Sequence, residues 1–275
     1  MKKKNLIIVG KKSFIGSNIY NFLKKKKKLL ILSYKDFMKL PDNIISKYDY
    51  VCNCSVNKRN VKNNYKKKFD FDLKIAEKIR KIDTIFIFLS SRKVYKPQKN
   101  IYENNKLQPI DIDSKNKVIS ENLLKKKLKS KLLILRISNV IGLKKNKKYR
   151  QIHKTFFDNY LDIVKKNKKI KFYNQFKDFI TIDQLSKIFF YLLKKRLHGV
   201  YNVSLGQKIY IKEILNWLNK KNKKKKNFIY INKKRNEHNK HSFSLNNSKL
   251  SLKINYKPKK IELKRFCLKL SKIIH

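Results

Sequence analysis

Apolar residues along this chain fall into short unbroken runs, and the stretches between the runs place their apolar residues at helical spacing. Leu6-Ile7-Ile8-Val9, Leu29–Leu32, Tyr50-Val51-Cys52 and Ile85-Phe86-Ile87-Phe88-Leu89 are such runs. Unbroken rather than alternating runs predict strands covered on both faces, the habit of a parallel sheet. Between them, Phe14, Ile15, Ile19, Phe22 and Leu23 share one helical face. Leu73, Ala76, Ile79 and Ile82 do the same in a helix predicted over Phe69–Ile82. Further on, strands are predicted over Leu132–Gly142, at Lys169–Tyr173 and from Gly199. Helices are predicted from about Gln151 to Lys165 (Phe156, Phe157, Tyr160, Leu161 and Val164 facing inward), at Gln184–Lys194 with Asp183 placed to cap it, at Ile211–Leu218, and after Pro258. Trp217 and Leu218 are predicted core. Strand and helix alternate, so the expected class is α/β: a doubly wound parallel sheet with helices on both faces. No internal repeat is visible.

The first strand-to-helix connection carries chemistry. It reads Gly10-Lys11-Lys12-Ser13-Phe14-Ile15-Gly16. A glycine makes the tight turn after the strand, and the helix start offers unpaired N–H groups and a positive dipole end to a pyrophosphate. The G-x-x-S-x-x-G spacing resembles the G-x-x-G-x-x-G of short-chain dehydrogenases, with Ser13 at the middle glycine. Phe14-Ile15-Gly16-Ser17 is typical of the extended branch, the NAD-dependent epimerases, dehydratases and reductases of nucleotide sugars.

Further segments resemble that family in the same order. Asp49-Tyr50-Val51-Cys52-Asn53-Cys54-Ser55 resembles its D-x-V-I-H-x-A-A strand, which passes the cofactor; small residues at Cys54 and Ser55 would let a dinucleotide lie close. Ser90-Ser91-Arg92-Lys93-Val94-Tyr95 resembles S-S-x-x-V-Y-G, which makes Ser91 the hydroxyl on the reacting sugar oxygen. The 4,6-dehydratases carry an Asp-Glu pair where Arg92 and Lys93 stand here, so that elimination is not expected. Leu135-Arg136-Ile137-Ser138-Asn139-Val140-Ile141-Gly142 resembles L-R-x-x-N-V-x-G, implying that Asn139 meets the nucleotide sugar and that Arg136 is structural. Phe176-Lys177-Asp178-Phe179-Ile180 resembles R-D-F-I, with Lys177 replacing the arginine that grips the substrate pyrophosphate; the charge stays but the bidentate fork is lost. Gly199-Val200-Tyr201-Asn202-Val203-Ser204-Leu205-Gly206 and the segment from Leu245 to Pro258 continue the likeness.

The resemblance implies a Rossmann-type domain over residues 1–145 binding NAD or NADP. It also implies a smaller, mainly substrate-binding lobe over 146–275, with 178–207 returning to the Rossmann core. The cofactor set is Gly10, Ser13, Phe14, Ile15, Gly16, Ser33, Cys54, Ser55 and Lys117. Where NAD enzymes carry an acid after the second strand, Ser33 stands here; it cannot repel a 2′-phosphate, and Lys35 could attract one. Asp36 is a displaced ribose candidate or a helix cap.

The family's catalytic Y-x-x-x-K meets Asp113-Ser114-Lys115-Asn116-Lys117. Lys117 matches, and Asp113 occupies the tyrosine position. Tyr102-Glu103-Asn104-Asn105-Lys106 has the spacing but no helical face, and Pro109 follows it. The catalytic set is therefore Ser91, Lys117 and Asp113. An aspartate beside a lysine is held ionised and makes a poor proton shuttle unless burial raises its pKa. Cofactor binding can survive where hydride transfer is crippled. The expected function is an NAD(P)-dependent nucleotide-sugar epimerase or reductase. The alternative is a catalytically impaired binding protein of the same fold.

Charge adds one competing class. The formal net charge is +55, which suggests a polyanion partner. Only eight of the 73 basic residues are arginine, whereas nucleic-acid readers lean on bidentate arginine. The lysines spread over the whole chain, so a solvated lysine-rich surface is favoured and no specific nucleic acid is expected. Cys52, Cys54 and Cys267 cannot build a disulfide framework, which fits a reducing cytoplasm. No apolar run reaches membrane-spanning length. His238 and His241 lack metal-ligand partners nearby, so no metal is expected. A homodimer, common in the family, is possible.

Overall fold

The computed structural model describes residues 5–26, 28–143, 155–166, 168–173, 175–221, 228–230 and 242–274. The first half is β1 (Leu6–Val9), α1 (Phe14–Leu23), β2 (Leu29–Leu32), α2 (Tyr34–Lys39), α3 (Asp42–Ile45), β3 (Tyr50–Asn53), α4 (Lys58–Lys62), α5 (Phe71–Ile79), β4 (Ile85–Ser91) and α6 (Ile112–Leu128). Then come β5 (Leu132–Ile137), β6 (Asn139–Ile141), α7 (Phe156–Lys165), β7 (Ile170–Phe172), β8 (Phe176–Lys177), β9 (Phe179–Thr181), α8 (Ile182–Leu192) and β10 (Gly199–Val203). The chain closes with β11 (Ile209–Tyr210), α9 (Ile211–Leu218), β12 (Phe228–Tyr230), α10 (Ser248–Ile254) and α11 (Lys260–Ile274).

Six parallel strands form the central sheet in the order β2-β1-β3-β4-β5-β10. Every residue of β1, β3 and β5 is buried, as their unbroken apolar runs require. Two clusters cover the two faces. On one, Ile19, Leu23, Leu185, Phe189 and Leu250 of α1, α8 and α10 pack on Leu6, Ile8, Ile87 and Leu135. On the other, Phe37, Leu73, Ala76, Ile79, Leu124 and Leu128 of α2, α5 and α6 pack on Ile7, Val51, Phe86 and Phe88. This is the doubly wound arrangement. The chain leaves β1 for β2 on one side and later adds β3 on the other, so the order reverses around β1. The crevice beyond the carboxyl ends of β1 and β3 is the switch point where such sheets bind ligands.

A third cluster joins Phe157, Phe179, Leu205, Leu215, Leu218, Leu263 and Cys267 of the later elements. Trp217 is half-buried and packs against it; Leu218 is fully buried. A fourth links Val94, Tyr95 and Ile101, after β4, to Phe243 and Leu245. Several element boundaries differ from those read in the sequence. The helix expected over Phe69–Ile82 is α5, which is shorter at both ends. Asp70 caps it by accepting the Leu73 N–H at 3.0 Å, after a separate turn at Lys67–Phe69. The helix expected at Gln184–Lys194 starts at Ile182. Its cap is Thr181, whose hydroxyl accepts from Gln184, while the Gln184 side chain accepts from the Thr181 amide. Asp183 lies in the first turn and is not the cap. The helix expected from about Gln151 begins at Phe156 as α7, capped by Thr155; positions 151–154, together with His238 and His241, lie outside the described residues.

Candidate active site

The cradle at the switch point follows from packing. Gly10 has φ +120, and a Cβ there would lie 2.9 Å from the Cys54 carbonyl carbon and from the Ser55 nitrogen. Only glycine fits both that backbone and that approach. The Gly10 and Lys11 amides donate to Leu32 O, and the Cys54 amide donates to Val9 O, so the turn is pinned between the ends of β2 and β3. Ser13 caps α1 by accepting the Gly16 N–H at 2.8 Å. The Phe14 and Ile15 amides form no hydrogen bond to another described residue. They stand at the positive end of a ten-residue helix, the feature that receives a phosphate anion. A Cβ on Gly16 would meet Ser13 Oγ at 2.6 Å and Gly10 O at 3.0 Å. The site thus needs glycine at both ends and tolerates serine in the middle.

At the end of β2, Ser33 is the N-cap of α2. Its hydroxyl accepts the Asp36 N–H, and its own N–H donates to the Asp36 carboxylate. Lys11 reaches Asp36 Oδ2 at 3.3 Å, and the Ser33 hydrogen bond and Lys11 hold this carboxyl below its ordinary value. At the end of β3, Asn53 is buried; its Oδ1 accepts from the Ser55 amide and hydroxyl, and its Nδ2 donates to Asp72 Oδ1 at 2.7 Å. Cys54 and Ser55 are thereby held in the extended course on which the glycine turn rests.

The end of β4 and the start of α6 form the second half of the site. Ser91 Oγ accepts the Lys93 N–H at 3.2 Å. Lys93 Nζ lies 2.8 Å from Asp111, the N-cap of α6. Burial works to raise the Asp111 carboxyl, but the hydrogen bonds from Lys93 and Ser114 outweigh it and hold it at about 2. Asp113 sits half-buried in the first turn of α6, and Lys117 lies one turn on. The carboxylate recorded against Lys117 is one the sequence did not single out. Asp72 of α5 approaches Lys117 Nζ at 3.5 Å, and the ammonium also rides over the Phe88 ring at 4.4 Å.

Burial pushes Asp72 up to about 6 from an ordinary value of 3.8, despite Lys117. A carboxyl raised in the folded state favours folding below its unfolded value, and that contribution is lost as pH rises through the folded value. Between pH 4 and 7, Asp72→Asn should therefore gain stability relative to the parent chain. Between the two ends, the unfolding free energy from urea titration should shift by roughly 1–3 kcal/mol in favour of the variant at the higher pH. An unchanged difference between pH 4 and 7 would contradict this placement of Asp72.

Beneath this floor runs a buried polar network. Arg136 grips Glu121 with two nitrogens, at 3.1 and 2.6 Å, and reaches the Tyr95 hydroxyl at 2.6 Å. Ser90 donates to Glu121 at 2.6 Å, and Tyr95 donates to Asn202 at 3.0 Å. It joins β4, α6, β5 and β10.

On the lobe side, Asn139 donates through its backbone and side-chain amides to Asp178 O, which fixes the β8–β9 corner. The buried Asp178 carboxylate accepts N–H groups from Leu205, Gly206 and Leu245 at 3.0 to 3.2 Å. Burial still pushes it up to about 7. Lys177, beside it on β8, is pushed down to about 8 by burial and then by Arg92 and Lys93. Burial likewise lowers Arg92 to about 10.

Residues 6–204, well over half of the chain, match the family model described as the NAD dependent epimerase/dehydratase family. This chain belongs to the NAD-dependent epimerase/dehydratase family. Solved structures share the fold across nearly the full length. UDP-N-acetylglucosamine 4-epimerase from Methanobrevibacter ruminantium M1, in complex with UDP-N-acetylmuramic acid, aligns with a TM-score of 0.77 and 21% identity, covering 99% of this chain and 98% of that one. UDP-glucuronic acid 4-epimerase from Bacillus cereus, in complex with NAD, gives 0.74 and 17%, covering 98% and 99%. dTDP-glucose 4,6-dehydratase from Bacillus anthracis, also in complex with NAD, gives 0.73 and 15%, covering 98% and 96%. No curated protein sequence matches significantly. The cradle of this family member fits a dinucleotide by its own geometry: a glycine turn that excludes any Cβ, and two unpartnered amides at a helix start. No described helix is long and apolar enough to cross a membrane.

Proposed function

We propose that this chain binds NAD or NADP in the crevice beyond β1 and β3 and acts on a nucleotide-linked sugar as an epimerase or reductase. The observation that carries the reading is the Gly10 turn, pressed to 2.9 Å of the Cys54–Ser55 backbone beside the Phe14 and Ile15 amides. Family membership and neighbours solved with NAD and with nucleotide sugars support it. The Phe14 and Ile15 amides take the pyrophosphate, Gly10, Ser13 and Gly16 shape its bed, and Cys54 and Ser55 line it. Ser33 lies at the adenosine ribose end. When bound, the nicotinamide supplies a hydride acceptor and donor.

Within the site each residue has a task. Ser91 accepts a backbone N–H, which leaves its hydroxyl proton to donate to the sugar oxygen at the reacting carbon. Lys117, steadied by Asp72 and Phe88, holds the nicotinamide ribose. Asn139 shapes the floor under the sugar, and Lys177 adds positive charge for the substrate diphosphate. Asp113 stands at the proton-transfer position. A carboxylate there is a weaker shuttle than a lysine-assisted phenol. A binding protein with crippled hydride transfer is therefore the second reading, favoured by Asp113 in place of the tyrosine. A cytoplasmic location and a homodimer belong with the first reading.

Asp113→Tyr tests the two together. Restoring a phenol one turn before Lys117 should raise turnover of a nucleotide sugar by roughly 10²–10⁴, the usual worth of a positioned acid–base. Single-turnover reduction of bound NAD+ is the readout. A variant no faster than the parent would remove Asp113 from the proton-transfer position.

A further inference from the structure

Two cations, Arg92 and Lys177, have no carboxylate within ion-pair distance among the described residues, although Asp111 and Asp178 attract Arg92 from farther off. Arg92 follows Ser91 directly, and Lys177 lies on β8. Neither makes an ion pair or a side-chain hydrogen bond among the described residues, although their neighbour Lys93 is paired with Asp111. One side chain brings the two together. The Arg92 guanidinium lies 3.6 Å from the centroid of the buried Phe243 ring, and the Phe243 amide donates to the carbonyl of Phe176, the residue before Lys177. Both residues are half-buried, and neither nitrogen group is among the fully enclosed polar atoms without partners. Asp178 does not neutralise them at close range; its oxygens are taken by the Leu205, Gly206 and Leu245 amides. Cations taken partly out of water without a close counter-ion are costly, and a bound anion reduces that cost.

We propose that Arg92 receives a carboxylate carried by the sugar ring, with Lys177 adding positive charge between it and the diphosphate, so that the substrate is a nucleotide-linked acidic sugar rather than a neutral one. This deepens the function proposed above and rests on it. The diphosphate is the other anion a nucleotide sugar brings, but it hangs from the anomeric carbon. Arg92 is the next residue after Ser91, whose hydroxyl meets the oxygen at the reacting carbon; adjacent Cα atoms are ~3.8 Å apart. A carboxylate on a ring carbon beside the reacting one meets such a group directly. Phe243 holds the guanidinium plane in place, and a planar fork matches a carboxylate with two parallel hydrogen bonds. Lys177, on β8 next to Phe176, adds a second positive charge.

The test is calorimetric binding of UDP-glucuronate, UDP-glucose and UDP to the full chain at physiological salt, in the parent, Arg92→Gln and Arg92→Lys. The parent should prefer the acidic sugar over the neutral one by about thirtyfold or more, the usual scale for a desolvated charge pair. Arg92→Gln should erase that preference while UDP affinity holds within a factor of about three, and Arg92→Lys should restore part of it. Equal parent affinities for the two sugars would overturn the proposal. So would an Arg92→Gln loss shared equally by all three ligands, which would assign the receptor to the diphosphate. If UDP binds and the preference is absent, this inference alone falls. If none of the three binds the parent, the proposed function falls with it.

Discussion

Arg136→Met should cost roughly 3–5 kcal/mol of folding stability, the price of leaving a buried charge unpaired. Arg136 and Glu121 have side chains 2% and 0% exposed, and two nitrogen–oxygen contacts join them. Removing the guanidinium leaves the buried Glu121 carboxylate with only the Ser90 hydroxyl and Lys125 at 4.0 Å. It also takes a partner from the Tyr95 hydroxyl and from the Glu103 carbonyl. The double variant Glu121→Leu with Arg136→Met removes both charges and should recover a substantial part of the loss. Urea unfolding at pH 7 measures both. A loss below about 1 kcal/mol in the single variant would place the pair in a far wetter environment than the structure gives it. The consequence is functional, because the network fixes the end of β4. Ser90 donates to Glu121, and Ser91 and Arg92 follow at once.

Gly10→Ala should abolish dinucleotide binding while leaving most of the fold. The added Cβ would lie 2.9 Å from two backbone atoms of Cys54 and Ser55 at φ +120. Backbone cannot swing away as a side chain can. The turn must move, carrying the Phe14 and Ile15 amides with it. A displacement of that kind should weaken binding by at least about 100-fold, since the site depends on close backbone approach to the pyrophosphate. The strain itself should cost about 1–3 kcal/mol. Ser13→Gly makes the contrast. Loss of the α1 cap should cost only a few tenths of a kcal/mol, because glycine is itself an acceptable N-cap.

The glycine turn was legible because three local signals agreed: an apolar run, a spaced pair of glycines, and helical spacing after Phe14. The parallel strands were legible for a similar reason, since burial on both faces leaves an unbroken apolar run. The residues that complete the site carry no such signal. Ser114, Asn116, Ser120 and Glu121 of α6 are all buried, yet a polar row on a lysine-rich helix reads as a solvated face. Only the position of α6 under β4 makes it interior. A narrower clue existed in the spacing of Lys117, Glu121, Leu124 and Leu128, which share one face of that helix. Asp72 was hidden in the same way. It falls in a helix whose apolar face alone shows in the sequence, and its importance comes from Asn53 and Lys117, 19 and 45 residues away. Asp178 was noticed only as a neighbour of Lys177, although it ties three backbone amides together. The displaced cap at Thr181 has a local cause: the reciprocal Thr181–Gln184 pair outcompetes the adjacent Asp183.

The most direct measurement is a calorimetric titration of the full chain with NAD+, NADH, NADP+ and NADPH at physiological salt, where nonspecific attraction to a chain of net charge +55 is screened. The account predicts one oxidised–reduced pair binding saturably at one site per chain, with binding lost in Gly10→Ala. The identity of that pair fixes the role of Ser33 and of the Lys11–Asp36 contact. Absence of saturable binding by all four would contradict the dinucleotide cradle and, with it, the reading of this chain as a hydride-transfer enzyme.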